Sequence, residues 1–215
     1  EKILIDSAHI ILVEDDIKNI GIIQTIYHDD KILFYHNSLS KPITYYQYNL
    51  KTLVCKAIYT KVVPNYDSSL YKTERIYAKS HDGVMVPISI IYNKELFKDD
   101  GTNPLYLYGY GSYGITIDPN FNKSILPLLN RGFVYAIAHV RGGSFLGYKW
   151  YESGKMRSKM NTFLDFNSCA EHLIAEKYTG NKLITIEGRS AGGLLVGACM
   201  VMRPDLFRTV IAGVP

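Results

Sequence analysis

Long apolar runs, basic clusters and paired cysteines are all scarce here, and each scarcity narrows the function. No stretch approaches the roughly 20 apolar residues of a membrane-spanning helix. The opening, EKILIDSAHIILVEDD, has no basic region ahead of a long apolar run, so it does not read as a signal peptide. Net charge is +4 and spread along the sequence, without the basic run that tracks nucleic acid. The three cysteines, Cys55, Cys169 and Cys199, are odd in number and form no C-x-x-C, so a reducing, cytoplasmic compartment is the expectation. Neither nucleic acid nor membrane is expected as a partner. No cofactor and no metal is called for. Residue 1 is glutamate, which points to a start inside a longer protein.

What is present is apolar residues in abundance, 47% of 215, ample for one core and part of another. Residues 1–66 alternate short β-rich runs with polar turns: IGIIQTIYHDDKILFYHN and ITYYQYNLKTLVCKAIYT each read as strand, turn, strand. This predicts an antiparallel meander, too short to close on itself. VVPNYDSSLYK reads as a linker, and TERIYAKSHDGVMVPISIIYN as a hairpin turning at Asp82-Gly83. Residues 67–215 form a second unit. From Asn103 onward its rhythm is βαβα. PLYLYGYG is a strand, NFNKSILPLLNRG a short helix bent near Pro127, and FVYAIAHV a strand buried on both faces. Phe163, Phe166, Ala170, Leu173 and Ile174 recur at helical spacing. KLITIEG, the stretch after it and RTVIAGVP complete the series. The fold class expected is α/β, a mostly parallel sheet with helices on both faces.

Two glycine motifs compete for attention. Gly109, Gly111 and Gly114 satisfy the dinucleotide fingerprint G-x-G-x-x-G after a strand. Pro119 interrupts the helix that should follow, and the next strand ends AHVRGG with no carboxylate for a ribose, so this motif is set aside. The other, Gly188 to Gly192 in ITIEGRSAGGLL, reads G-x-S-x-G between a strand and a helix without a breaker until Pro204. A serine on such a turn has an exposed Oγ. It needs glycine at positions 188 and 192 because a β-carbon would collide, and it sits at a helix N-terminus that receives negative charge. An incidental serine in a glycine-rich turn is the alternative.

YLYGYGSYG, RGFVYAIAHVRGG, WYESGK, NTFLDF, EGRSAGG and RPDLFRTVIAGVP resemble, in order and spacing, the prolyl oligopeptidase family of serine peptidases, and most of all its oligopeptidase B branch. The resemblance runs over residues 71–215. It implies an α/β-hydrolase domain, and a preceding meander that is the last part of a β-propeller. It further implies that Ser190 is the nucleophile, and that the Ala191 backbone N–H and the Tyr110 hydroxyl are the oxyanion donors. Without the family, Tyr110 reads as an interior aromatic. Asp118 matches a carboxylate that holds a basic side chain on the acyl side of the cut bond. Its partner two residues on, an aspartate in that branch, is Asn120 here, which weakens the subsite; a solvated loop aspartate is the alternative. Phe145 stands where the family's RGGGELG has glutamate, which puts the geometry of that loop in question.

The order in these hydrolases is serine, acid, histidine. All six histidines (His9, His28, His36, His81, His139 and His172) precede Ser190, and residues 191–215 hold none. His139 matches a family histidine that is not the base and is read as structural. The expectation is a peptidase segment, cleaving short peptides after basic residues, that lacks the triad acid and histidine and is nearly inactive alone. A complementary chain completes it in one reading; in the other it is a non-catalytic or decayed remnant. An ordinary esterase on this scaffold is a lesser rival.

Overall fold

The structure, a computed structural model, describes residues 19–25 and 30–215. The expected features in residues 1–18, and His9 and His28, lie outside the described residues. Strands β1 (Asn19–Thr25), β2 (Lys31–Asn37), β3 (Thr44–Asn49) and β4 (Cys55–Thr60) pair in chain order as one antiparallel sheet. Cross-strand rings tie its middle, with Phe34 stacked on Tyr46 at 5.3 Å and Tyr45 tilted against Tyr35 and Tyr59. Such pairs are the unit of sheet stabilisation.

The second sheet has six strands: β5 (Tyr71–Lys79), β6 (Met85–Asn93), β7 (Leu105–Tyr108), β8 (Val134–Ala138), β9 (Ile184–Arg189) and β10 (Phe207–Gly213). Between them lie α1 (Leu126–Leu129), α2 (Tyr148–Glu152), α3 (Met160–Ala175) and α4 (Ala191–Met202). The spatial order is β10-β9-β7-β8-β6-β5; β8, β7, β9 and β10 run parallel, and the β5–β6 hairpin is antiparallel. The hairpin turns at Gly83, which takes φ +85°.

Alternation decides which layer each side chain joins. On β8, Val134, Ala136 and Ala138 face the core under α3 and α4, while Tyr135 and Ile137 face the smaller core under α1. The strand is buried on both sides, as its unbroken apolar run implies. The helical spacing in α3 buries Phe166, Ala170 and Leu173 completely, with Phe163 and Ile174 at the margin. One local expectation is corrected. Pro127 does not bend a helix: a 3-10 turn over Lys123–Ile125 leads into α1, and Pro127 occupies its first turn, where no intrahelical N–H is needed. On edge strand β10, Val210 packs against the main core, whereas Ile211 and Val214 are exposed.

The meander sheet meets the larger one through specific contacts. Leu39 joins the α1-side core, the Tyr66 hydroxyl donates to the Ser40 carbonyl, and the Phe121 N–H donates to Asn37 Oδ1.

Candidate active site

β9 delivers the chain into Ser190 at φ 56° and ψ −121°, a backbone conformation that costs a non-glycine residue about 1–3 kcal/mol. The neighbours hold it there. The Ser190 N–H donates to the Gly213 carbonyl at 2.8 Å, and the Ser190 carbonyl accepts from Gly193 at 2.7 Å as α4 begins. A β-carbon on Gly188 would stand 1.9 Å from the Gly192 carbonyl oxygen, so this turn is closed to any other residue. On Gly192 it would meet a different element: the Gly109 carbonyl oxygen at 2.8 Å and the Tyr110 ring at 3.4 Å. Gly192 thus lets the loop after β7 approach the first turn of α4, which brings Tyr110 beside the elbow. Ser190 is exposed. Ala191 opens the helix, so its N–H has no partner within the helix and lies at the positive end of the helix dipole. A serine oxygen, a helix N-terminal N–H and a tyrosine are the groups that support acyl transfer through a stabilised oxyanion.

The support of the Tyr110 loop escaped sequence reasoning. Arg141 is buried after β8. Its guanidinium donates to both Asp165 oxygens, at 2.8 and 2.6 Å, and to Asp82 at 2.5 and 3.2 Å. The Arg141 N–H also reaches Asp165, and Ser80 Oγ donates to the same carboxylate at 2.6 Å. Hydrogen bonding to Asp165, then Asp82, raises the Arg141 pKa, and the guanidinium in turn lowers that of Asp82. The segment so anchored grips the loop: the Gly114 N–H donates to the Gly142 carbonyl, and Thr162 Oγ1 donates to the Arg141 carbonyl. Lys159 at the start of α3 donates to the Gly111 carbonyl at 2.6 Å and Ser112 Oγ at 2.7 Å; burial pulls its pKa down to about 8. The one available sign in the sequence was an arginine and an aspartate inside two of the quoted motifs. Beside Ala191 a cavity of about 290 Å³ is lined by Ser112, Tyr113, Tyr151, Lys155, Lys159 and Leu194.

The glycines of the set-aside fingerprint have another use. A β-carbon on Gly109 would strike Phe166 at 2.6 Å and Leu195 at 2.9 Å, so this glycine admits the packing of α3 and α4. Residues 115–122 form no helix.

Among the described residues, no side chain is hydrogen-bonded to Ser190 Oγ, and no histidine reaches it. His139 is buried under the sheet, with Nε2 2.7 Å from Ser89 Oγ and its ring stacked on Phe145 at 3.7 Å. Burial, assisted by the charge of Arg75, lowers its pKa to about 3, so it is neutral at ordinary pH. The Arg75 guanidinium also lies over the Phe145 ring, 4.7 Å from its centre. His81 lies 3.2 Å from Ser80 Oγ, and His172 sits in the last turn of α3.

Asp118 and Asn120 lie in the irregular segment before α1. Asp118 lines the rim of a second cavity, and partial burial raises its carboxyl pKa. Asn120 Oδ1 accepts from Asn19 of β1 at 2.9 Å, so it joins the two sheets.

The model of the prolyl oligopeptidase family matches residues 119–215. Dipeptidyl aminopeptidase BI of Pseudoxanthomonas mexicana is 40% identical over 86% of this chain and 26% of its own length. Protease 2 of Moraxella lacunata is 43% identical over 88% of this chain and 27% of its own. The structure of oligopeptidase B from Leishmania major superposes with a TM-score of 0.87 at 40% identity, over 95% of this chain and 29% of that one. The chain therefore spans about a quarter of the length of the curated relatives it matches. With sequence and structure alike at this level, the chain belongs to the prolyl oligopeptidase family.

Proposed function

We propose that residues 1–215 are the nucleophile-bearing part of a serine-type oligopeptidase that hydrolyses short peptides after basic residues. The observation that carries the reading is Ser190, held at φ 56° on a strand-to-helix turn with the Tyr110 loop packed against that turn. Ser190 Oγ attacks the peptide carbonyl as a general base takes its proton. The carbonyl electrons move to oxygen, where the Ala191 N–H and the Tyr110 hydroxyl stabilise the charge by a few kcal/mol each. Collapse breaks the C–N bond, the amine leaves with the proton, and water then releases the acyl group from Ser190. Asp118 favours a basic side chain on the acyl side, and Asn120, being neutral, makes that preference weaker than a carboxylate pair would. The meander sheet acts as the closing part of a propeller that restricts entry to short peptides. The three free thiols favour a cytoplasmic setting.

The base and its orienting acid come from further polypeptide, of the same chain or a complementary one. The lack of any histidine at Ser190 among the described residues also favours a second reading, a non-catalytic module on the same fold. Assays of short arginyl and lysyl peptides separate the two. Residues 1–215 alone are expected to turn over negligibly. Addition of a polypeptide bearing the family's later strands, acid and histidine restores turnover that Ser190→Ala abolishes. No recovery from a folded complex supports the non-catalytic module. Efficient hydrolysis by residues 1–215 alone, lost in Ser190→Ala, shows that a histidine within them serves.

A further inference from the structure

The Tyr110 loop, residues 109–114, is tied at both ends. The Gly109 N–H donates to the Glu187 carbonyl of β9 at 3.2 Å, and the Gly114 N–H to the Gly142 carbonyl at 3.0 Å. Between these ties the backbone passes twice through the left-handed region, at Gly111 (φ 70°) and at Tyr113 (φ 57°). The second, in a residue other than glycine, persists only where the surroundings hold it. Among the described residues, the only hydrogen bonds that reach residues 110–113 from outside the loop come from Lys159 Nζ. One goes to the Gly111 carbonyl at 2.6 Å and one to Ser112 Oγ at 2.7 Å.

Gly111 is buried, and its carbonyl is closely packed: a β-carbon on Gly142 would stand 2.1 Å from the Gly111 oxygen. A buried carbonyl without a donor is costly, so the Lys159 ammonium decides where this peptide unit settles. Lys159 forms no ion pair among the described residues, and its Nζ lies 5.9 Å from the Phe163 ring centre. The titratable groups lining the adjoining cavity are Tyr113 from the loop, Tyr151 from α2 and Lys155 from the turn after α2. α4 presents only Ala191 and Leu194 there. Lys155 is turned to the Tyr148 and Tyr151 rings and to Glu152. The hydrogen-bonding capacity of Lys159 therefore goes to the loop.

We infer that Lys159 is a positioning residue: its ammonium fixes the Gly111 peptide unit and so aims the neighbouring Tyr110 at the oxyanion formed on attack by Ser190. That consequence rests on Tyr110 being an oxyanion donor, whereas the hold of Lys159 on the loop needs no turnover. Hydrogen bonds from a charged donor are about twice as strong as neutral ones. Loss of the Lys159 proton, as pH rises through about 8, therefore loosens the loop. Arginine at this position keeps charge and donors but carries them on a wider, planar fork.

Amide NMR of residues 1–215, with pH raised stepwise across the Lys159 pKa of about 8, reads the hold directly. The Tyr110, Gly111 and Ser112 signals are expected to move together with that midpoint. In Lys159→Met they should stay near their high-pH positions, and in Lys159→Arg near their low-pH positions. Loop signals that do not move in the wild type, or that titrate unchanged in Lys159→Met, overturn the inference. Turnover is read in the complex with the polypeptide that supplies the acid and histidine. There Lys159→Met should lower kcat about tenfold or more with KM kept, because an oxyanion donor acts in the transition state, and Lys159→Arg should recover part of the loss. Unchanged kcat in Lys159→Met removes the positioning role. A complex that turns nothing over, with loop signals moving as expected, overturns the peptidase reading and supports the hold of Lys159 on the loop. If Lys159→Met does not fold, the wild-type titration and Lys159→Arg still decide.

Discussion

Ser190 and His139 show what single residues carry here. Ser190 holds a conformation that glycine adopts freely, and a network of backbone hydrogen bonds from β10 and α4 enforces it. Both Ser190→Ala and Ser190→Gly remove the hydroxyl, but only glycine relieves the strain. Ser190→Gly should therefore be more stable than Ser190→Ala by about 1 kcal/mol in urea denaturation, less than the full strain because glycine also loses more chain entropy on folding. Equal stabilities would mean that the turn stores no strain. His139 sets a pH dependence. Its folded pKa of about 3 lies below the ordinary 6.5, so the unfolded chain binds the proton more readily between those values. The stability it supports is complete above pH 6.5 and is lost as pH falls toward 3. His139→Gln should flatten the fall of melting temperature across that interval; an unchanged slope would assign the acid sensitivity to other groups.

At the scale of elements, the site depends on how the segment after β8 is clamped to α3. Arg141 and Asp165 are both buried and share two short hydrogen bonds, and Asp82 completes the pair from the hairpin turn. Removing one partner of a buried pair leaves a charge without compensation and typically costs about 3–5 kcal/mol. Asp165→Asn is expected to destabilise by that order, read from the denaturation midpoint, whereas Asp82→Asn, at a more exposed position, should cost much less. A second expectation concerns the elbow. Gly188→Ala places a methyl group where the Gly192 carbonyl already stands, and neither β9 nor α4 is free to move. It should either fail to fold or lose at least about 3 kcal/mol, an overpacking cost at the upper end of the usual range.

For the whole molecule the decisive feature is a sheet covered unevenly. α3 and α4 cover one face, α1 covers β6 and β8 on the other, and β10 ends the sheet with Ile211 42% and Val214 68% exposed. Leu194, Met200 and Val201 are exposed on α4 nearby in sequence, Val201 at 76%. Open apolar edges recruit other chains. Residues 1–215 in isolation should associate in a concentration-dependent way by analytical ultracentrifugation, and Ile211→Lys, which charges the edge without touching the core, should shift them toward monomer. A wild-type protein that stays monomeric at high concentration would count against the edge as a docking surface. Among the described residues, no helix is long and apolar enough to cross a membrane.

Local patterning determined the elements, because strand and helix periods, glycine punctuation and helix starts are properties of a few adjacent residues. The meander from 19 onward, the two-sided burial of β8, the buried stripe of α3 and the turn at Ser190 all follow from it. The need for Gly188 was legible for the same reason, since the atom it must avoid is four residues away. What only the tertiary structure decided are meetings between segments far apart in the chain: Gly192 against Gly109 and Tyr110, Arg141 against Asp165 and Asp82, Lys159 on the Gly111 carbonyl, and Glu187 beside three tyrosines from β7 and β8. No period records them. Strand order and parallel register set those distances, and both are outcomes of burying one shared core.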